Sequence, residues 1–300
     1  MTIHFAPSGA RALRSQPIET QVVLVGLEYI VGGALVGFVV GATGVGGGSL
    51  MTPLLTLVFN VPAQVAVGTD LLFAAITKAG GAAAHARRGN VQWAITGWLV
   101  AGSVPAAVAT LAAVQILKPD AALFAEVVKR VLGLALFLTA GALLFKAQIQ
   151  ALGRRFAVRD ERVVALAAAA GAGYLPVTEE RIARPLPTVI TGAAIGVLVT
   201  LTSVGAGVIG VVALFFLYPL LPARHIVGAD IAHAVPLTLV AGLGHAAMGT
   251  VNWTLLGTLL IGSLPAIYLG AALAHRLPER TLRLALATML VGIGFKLLIG

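Results

Sequence analysis

Two short stretches, VGTD at 67–70 and VGAD at 227–230, each set a carboxylate inside a strongly apolar run, and Lys78 stands eight residues after the first. Ionisable side chains at membrane depth are expensive and are functional candidates by default. Lys78 is the best single candidate for pairing with an anion. A spacing of eight places it on roughly the same helix face as Asp70, so a structural ion pair is the competing expectation. Asp70 and Asp230 are expected just inside their helices, where a carboxylate can cap free N–H groups. Alternatively, a desolvated carboxylate can hold a proton. His233 follows Asp230 by one turn, which suggests a hydrogen-bonded Asp–His couple as the proton-sensitive member.

The backbone supplies a second kind of chemistry. GATGVGGGSLMTPLL (41–55) puts five glycines into nine residues, and LTSVGAGVIGVVALF (201–215) is broken in the same way. Glycine costs about 1 kcal/mol and proline about 3 kcal/mol against alanine inside a helix. Irregular backbone at membrane depth is tolerated only where it is buried in protein or lines a watery cavity. A helix restarting near Ser49 and another near Val208 would aim unpaired N–H groups and a positive dipole end at an anion. The candidate ligand set is therefore Thr43, Gly46, Gly47, Gly48, Asp70, Lys78, Ser203, Gly205, Gly207, Asp230 and His233. Close helix packing is the plainer use of such glycines. His85 and His245, at equivalent helix ends, read as satisfied interfacial histidines. Trp93 and Trp253 read as interfacial belt residues. Glu28 is expected to face a lumen or a partner.

These residues need elements that cross hydrocarbon. The chain is 59% hydrophobic and 10% charged, against about 25% charged in soluble domains, and its mean hydropathy is +0.99. Apolar windows at Gln21–Thr43, Gln64–Ala86, Val91–Gln115, Ala121–Phe145, Arg224–Ala247, Asn252–His275 and Thr281–Ile299 have spanning length, since about 17–25 residues cross a bilayer. Eight to ten segments would use nearly the whole chain. The first is read as a retained helix rather than a cleaved signal, because its apolar run is too long for one. The chain has no cysteine, which excludes disulfides, thiolate metal sites and haem attachment. No cofactor or metal is expected. The net charge of +9 sits largely in short connections such as Arg87–Arg88 and Arg154–Arg155, a pattern of positive-inside topology rather than of nucleic-acid binding.

Sliding the chain by 160 residues lays VGTD on VGAD, His85 on His245, VQW on VNW and GSVPA on GSLPA, with 17 of 45 pairs identical between 62 and 106. Chance likeness among apolar helices would match Leu and Ala, not Asp, His, Trp and Pro. The expected fold is an all-α polytopic membrane protein of two homologous helical repeats with glycine-broken or re-entrant segments. A tail at 1–20 precedes a first repeat at 21–146, a polar connector at 147–185 and a second repeat at 186–300. Five crossings per half would make the repeats inverted, and four would make them parallel. Either count places Arg87–Arg88 on the connector's side, most simply the cytoplasm. Paired interrupted segments of this kind point to a transporter's binding site at the repeat interface.

GATGVGGGSLMTPLL, AVGTDLL, GGAAAHARRGNVQW, LTSVGAGVIG, VGADIAHAVPL and GHAAMGTVNW together resemble the sulfite exporter TauE/SafE family of bacterial membrane permeases. The resemblance spans both halves. It implies a multi-pass protein of the bacterial inner membrane that transports a small sulfur-containing anion such as sulfite, a sulfonate or sulfoacetate, with protons as a candidate coupling ion. The usual first-half motif has Ser where this chain has Asp70, and Lys78 fits a subset of the family. Enzyme readings are poorly supported: G-x-S-x-G, H-E-x-x-H and the Lys-Ser/Thr of a phosphate loop are absent. An intramembrane aspartyl protease is the strongest of them, since two membrane aspartates can share a proton, but its Gly-x-Gly-Asp context is missing. A passive anion channel is the closer alternative.

Overall fold

The structure, a computed structural model, describes residues 18–43, 48–117, 121–159, 184–273 and 279–299. Among them the fold is all helical. The first half of the chain comprises α1 (Ile18–Thr43), α2 (Gly48–Leu57), α3 (Ala63–Arg87), α4 (Trp93–Leu117) and α5 (Ala121–Arg159). The second comprises α6 (Pro185–Thr202), α7 (Val208–Leu217), α8 (Ala223–Ala247), α9 (Trp253–Leu273) and α10 (Glu279–Ile299). Six helices, α3, α4, α5, α6, α8 and α9, are each long and apolar enough to cross a bilayer, and shorter apolar stretches lie in α1, α7 and α10. The chain is a multi-pass membrane protein. Trp93 and Trp253 open α4 and α9 and are exposed there, as belt residues are.

These helices are largely apolar all round, and their closest contacts run along stripes of small residues. In α1, Leu27, Val31 and Leu35 form an exposed stripe four residues apart, while Gly33, Gly37 and Gly41 form the packed one. A side chain on those glycines would run into the backbone of Leu259, Ser263 and Ile267 of α9. Gly192 and Gly196 of α6 meet Leu99 and Ser103 of α4 in the same way. With little hydrophobic drive between helices in lipid, such backbone approach supplies the van der Waals contact that holds them together. Each pair joins an early helix of one half to a late helix of the other.

The contact order gives the helix directions. Residue numbers rise together along α1 and α9 and along α4 and α6, so each of these pairs is parallel. Along α3 and α8 they run oppositely: Gly68 meets Thr250, Leu72 meets Gly242, Gly81 meets Ile231, and Gly228 meets Asn90. Gly133 and Phe137 of α5 likewise meet Leu298 and Gly294 of α10 in antiparallel order. Helices at the same place in the two halves therefore run in opposite directions, the inverted arrangement of the two that the sequence left open.

One boundary differs from expectation. Helix α5 does not stop near residue 146 but runs on to Arg159, because KAQIQALGRRFAVR contains no proline and its single glycine, Gly153, is accommodated within the helix. Gly153 lies against the backbone of Phe216 at the end of α7, and Lys146 stacks over Phe215 at 4.9 Å. The N-terminal residues before 18 and the connector residues 160–183 lie outside the described residues.

Two predictions follow from this packing. Gly196→Leu, which drives a side chain into the backbone of Ser103, should lower the thermal midpoint in detergent by the equivalent of about 1–3 kcal/mol or more. Gly97→Leu, on an exposed face of α4 with nothing within 4 Å, should leave the midpoint unchanged. The cysteine-free sequence also allows clean labelling with a membrane-impermeant thiol reagent. Asn90→Cys and Arg154→Cys should react from one side of the membrane, and Asn60→Cys and Thr250→Cys from the other.

Candidate functional site

The α3–α8 crossing brings VGTD and VGAD together with the opposite helix's loop. Gly68 and Gly228 leave room for the backbone at Thr250 and Asn90 respectively, and Thr69 Oγ1 accepts a hydrogen bond from the Asn252 N–H at 3.1 Å. Asp70 and Asp230 sit one residue further on, both buried. Neither caps its own helix, contrary to expectation. The helices start earlier, at Ala63 and Ala223 behind Pro62 and Pro222, which leaves both carboxylates in the third turn. Asp70 Oδ2 instead accepts a hydrogen bond from Thr52 Oγ1 of α2 at 2.5 Å. The Ser203 hydroxyl stands beside the same carboxylate without a hydrogen bond of ordinary geometry.

Lys78 lies two turns beyond Asp70 and is 8% exposed. Its ammonium donates to the carbonyl of Ala206, in the break between α6 and α7. That break is built by backbone that favours glycine: Ser203 has φ 58°, Gly205 φ 122° and Gly207 φ 142°, a region that side chains with a Cβ enter only at a cost. Thr202 Oγ1 accepts the Val204 N–H at 3.1 Å, and α7 restarts at Val208. Lys78 is within electrostatic reach of both Asp70 and Asp230. The direct ion pair among the described residues is the exposed Arg130–Glu126 contact, so Lys78 acts on the two carboxylates through space.

His233 does not pair with Asp230. Its Nε2 is 2.8 Å from Ser103 Oγ of α4, whereas both Asp230 oxygens have no hydrogen-bond partner. The expected Asp–His couple is therefore absent, because the ring turns toward α4. Asp230 Oδ1 lies instead where a side chain on Gly210 would stand. The one side-chain hydrogen bond to either carboxylate among the described residues is that from Thr52 to Asp70. His245 is satisfied, with Thr250 Oγ1 at 2.9 Å and the Thr200 carbonyl at 3.0 Å. His85 is half-buried with Nδ1 unpartnered. Glu28 is exposed on α1.

Of the remaining sequence candidates, Thr43 ends α1 and Gly48 starts α2, while Gly46 and Gly47 lie outside the described residues. The structure thus brings Lys78 onto the second break, which Ser203, Gly205 and Gly207 shape, with Asp70 and Asp230 within its electrostatic reach, while His233 turns to Ser103. Sequence reasoning missed Thr52, Ser103 and the Ala206 carbonyl. Thr52 lies within the quoted first glycine stretch and Ser103 within the repeated GSVPA, so both were in view, but no spacing rule assigned them partners.

Buried polar atoms in native proteins are overwhelmingly hydrogen-bonded, and exceptions call for an explanation. Among the described residues the unpartnered buried side-chain atoms belong to Asp70, Ser203, Asp230 and His233, with His85 apart. Lys78 is within electrostatic reach of Asp70, Asp230 and His233, and Ser203 stands beside Asp70. A buried cation with unpartnered carboxylate oxygens within reach, against broken backbone, has the chemistry of an ion-binding site. A cleft of about 300 Å³ lined by Thr56, Leu57, Glu126 and Lys129 lies at the far end of α2 and contains none of these residues.

Broken helices, a buried charge cluster and inverted helix directions define a membrane transporter. The chain belongs to the sulfite exporter TauE/SafE family, whose model matches residues 29–297. It is 33% identical to the probable membrane transporter protein YjnA of Bacillus subtilis over 91% of this chain and 99% of that one. Its likeness to YdhB of the same organism, also a probable membrane transporter protein, is 30% over 84% and 91% of the two chains. A probable membrane transporter protein of Xylella fastidiosa is 28% identical over 82% of this chain and 83% of its own length. No solved structure matches.

Thr52→Val keeps the shape of a fully buried side chain but removes the hydroxyl that serves Asp70. Hydrogen bonds to charged groups contribute about 1.5–3 kcal/mol, so the thermal midpoint should fall accordingly. An unchanged midpoint would show that this bond contributes nothing to stability.

Proposed function

We propose that this chain is a secondary transporter that moves small sulfur-containing anions, sulfite or organosulfonates, across the bacterial inner membrane, driven by protons. The observation that carries the reading is Lys78, a buried cation whose ammonium rests on the backbone of a glycine break. An ammonium has three donors, so Lys78 can keep the Ala206 carbonyl and still meet an anion, and the start of α7 offers its positive dipole end to the same place. The sulfur chemistry comes from the family's description; the relatives' names specify no substrate.

The orientation follows from charge. Arg87, Arg88, Arg154, Arg155 and Arg224 all lie toward the membrane face at which α3 and α5 end and α8 begins. By the positive-inside rule that face is cytoplasmic.

Purified protein in liposomes, offered sulfite, methanesulfonate, isethionate and sulfoacetate, provides the test. Saturable flux of at least one of these is expected. Lys78→Met should lower it about a hundredfold, in line with about 2–5 kcal/mol for removing one member of a buried charge pair, while membrane insertion stays intact. Flux that rises linearly with concentration would identify a passive channel, and wild-type flux in Lys78→Met would move the anion site elsewhere.

A further inference from the structure

The unpartnered atoms around Lys78 are of the wrong kind to receive a bare anion. Asp70 Oδ1 and both oxygens of Asp230 are carboxylate oxygens without hydrogen-bond partners. As carboxylates they accept and cannot donate. An anion also brings acceptors. The nearby donors are few: the Lys78 ammonium, with one of its three N–H groups on Ala206, and the Ser203 hydroxyl. Charge gives the same answer: one lysine and two ionised aspartates leave a net negative charge. In low dielectric such a site repels an anion strongly.

Resting on the anion-transporter reading, we propose that each anion enters together with a proton and that Asp230 holds that proton. Protonation turns Asp230 from an acceptor into a donor and frees Lys78 from one of its two counter-charges. One proton per monovalent anion leaves the site with the same net charge as when it is empty and ionised, so loading is electroneutral. Asp230 is the holder because Asp70 already has a donor in Thr52 at 2.5 Å, which suits the ionised form. Asp230 has no donor, is 1% exposed, and faces the bare Cα of Gly210. The ionisable groups on the two helices concerned are Asp70, Lys78, His85 and Arg87 on α3 and Arg224, His225, His233 and His245 on α8 itself; α4, α6 and α7, the other helices packed on α8, carry none.

The test uses the full-length protein in liposomes loaded with a pH-sensitive dye, with methanesulfonate as the probe because it stays monovalent across the working range. With the outside one pH unit more acid, coupled transport should concentrate methanesulfonate about tenfold inside, the ratio that one pH unit supplies. The lumen should acidify as it enters, and an imposed potassium diffusion potential should change neither. Asp230→Asn, which keeps the shape and supplies a permanent donor, should still equilibrate methanesulfonate but concentrate it no more than onefold. A wild-type protein that carries methanesulfonate to the same level with and without the pH gradient overturns the proposal, as does tenfold accumulation by Asp230→Asn. If that variant does not fold, the wild-type accumulation and acidification measurements decide alone. No wild-type flux of methanesulfonate, sulfite or sulfoacetate overturns the transporter reading itself, and the proposal with it.

Discussion

A lysine ammonium inside a membrane protein must find acceptors, and a continuous helix has none to spare, because each of its carbonyls is already bonded four residues on. Lys78 meets this constraint by taking the Ala206 carbonyl from a stretch where the helix has been interrupted. The interruption is tolerated because it is buried in protein: Ser203, Val204 and Ala206 are all buried. Lysine and glycine break are thus parts of one arrangement. Without the break the ammonium loses its backbone acceptor, and without the lysine a break carbonyl loses its donor in surroundings that hold no bulk water.

Holding the ammonium to that carbonyl requires two helices from different halves to keep their spacing. Lys78 belongs to α3 and Ala206 precedes α7, and the helices around them are fixed by backbone-to-backbone contact. Gly192 and Gly196 press α6 onto α4, Gly33 and Gly37 press α1 onto α9, and Gly68 and Gly228 let the α8–α9 loop settle on α3 and the α3–α4 loop on α8. Backbone contacts have no rotamers to relax, so the scaffold positions the charge cluster more tightly than layers of long side chains would. Residues 68 and 250, and residues 228 and 90, make the same contact from opposite sides, and 68 and 228, like 90 and 250, stand 160 apart.

Much of this was legible in the sequence because hydrocarbon imposes strict rules. Windows such as Arg224–Ala247 and Asn252–His275 correspond closely to α8 and α9, and the second helix restart falls at Val208 as read. Lys78, Asp70 and Asp230 stood out because charge in an apolar run is rare. Helix direction was not legible, since apolar windows carry no sign; it emerges from which residue meets which. Nor were Thr52 and Ser103. A threonine or serine in a membrane helix usually bonds its own preceding turn, as Thr200 does with Gly196 and Thr238 with Ala234, so only the packing reveals the ones that reach across. The Asp230–His233 couple failed for the complementary reason: residues one turn apart share a face, but His233 found Ser103 on a neighbouring helix.

The two halves resemble each other in framework and differ in what the framework holds. Position 238, 160 after Lys78, is Thr238, whose hydroxyl is engaged with its own helix at 2.8 Å, so the cation has no counterpart. The carboxylates are unequal as well, since Asp70 meets the hydroxyl of Thr52 where Asp230 meets the bare Cα of Gly210. Inverted halves of identical content would give two exchanged arrangements of equal energy, and an ion bound to either would favour neither. A bound species shifts such an equilibrium only through its differential affinity for the two arrangements. With one lysine shared between two unlike aspartates, the arrangements cannot be equivalent, and that inequality gives an ion something to act on.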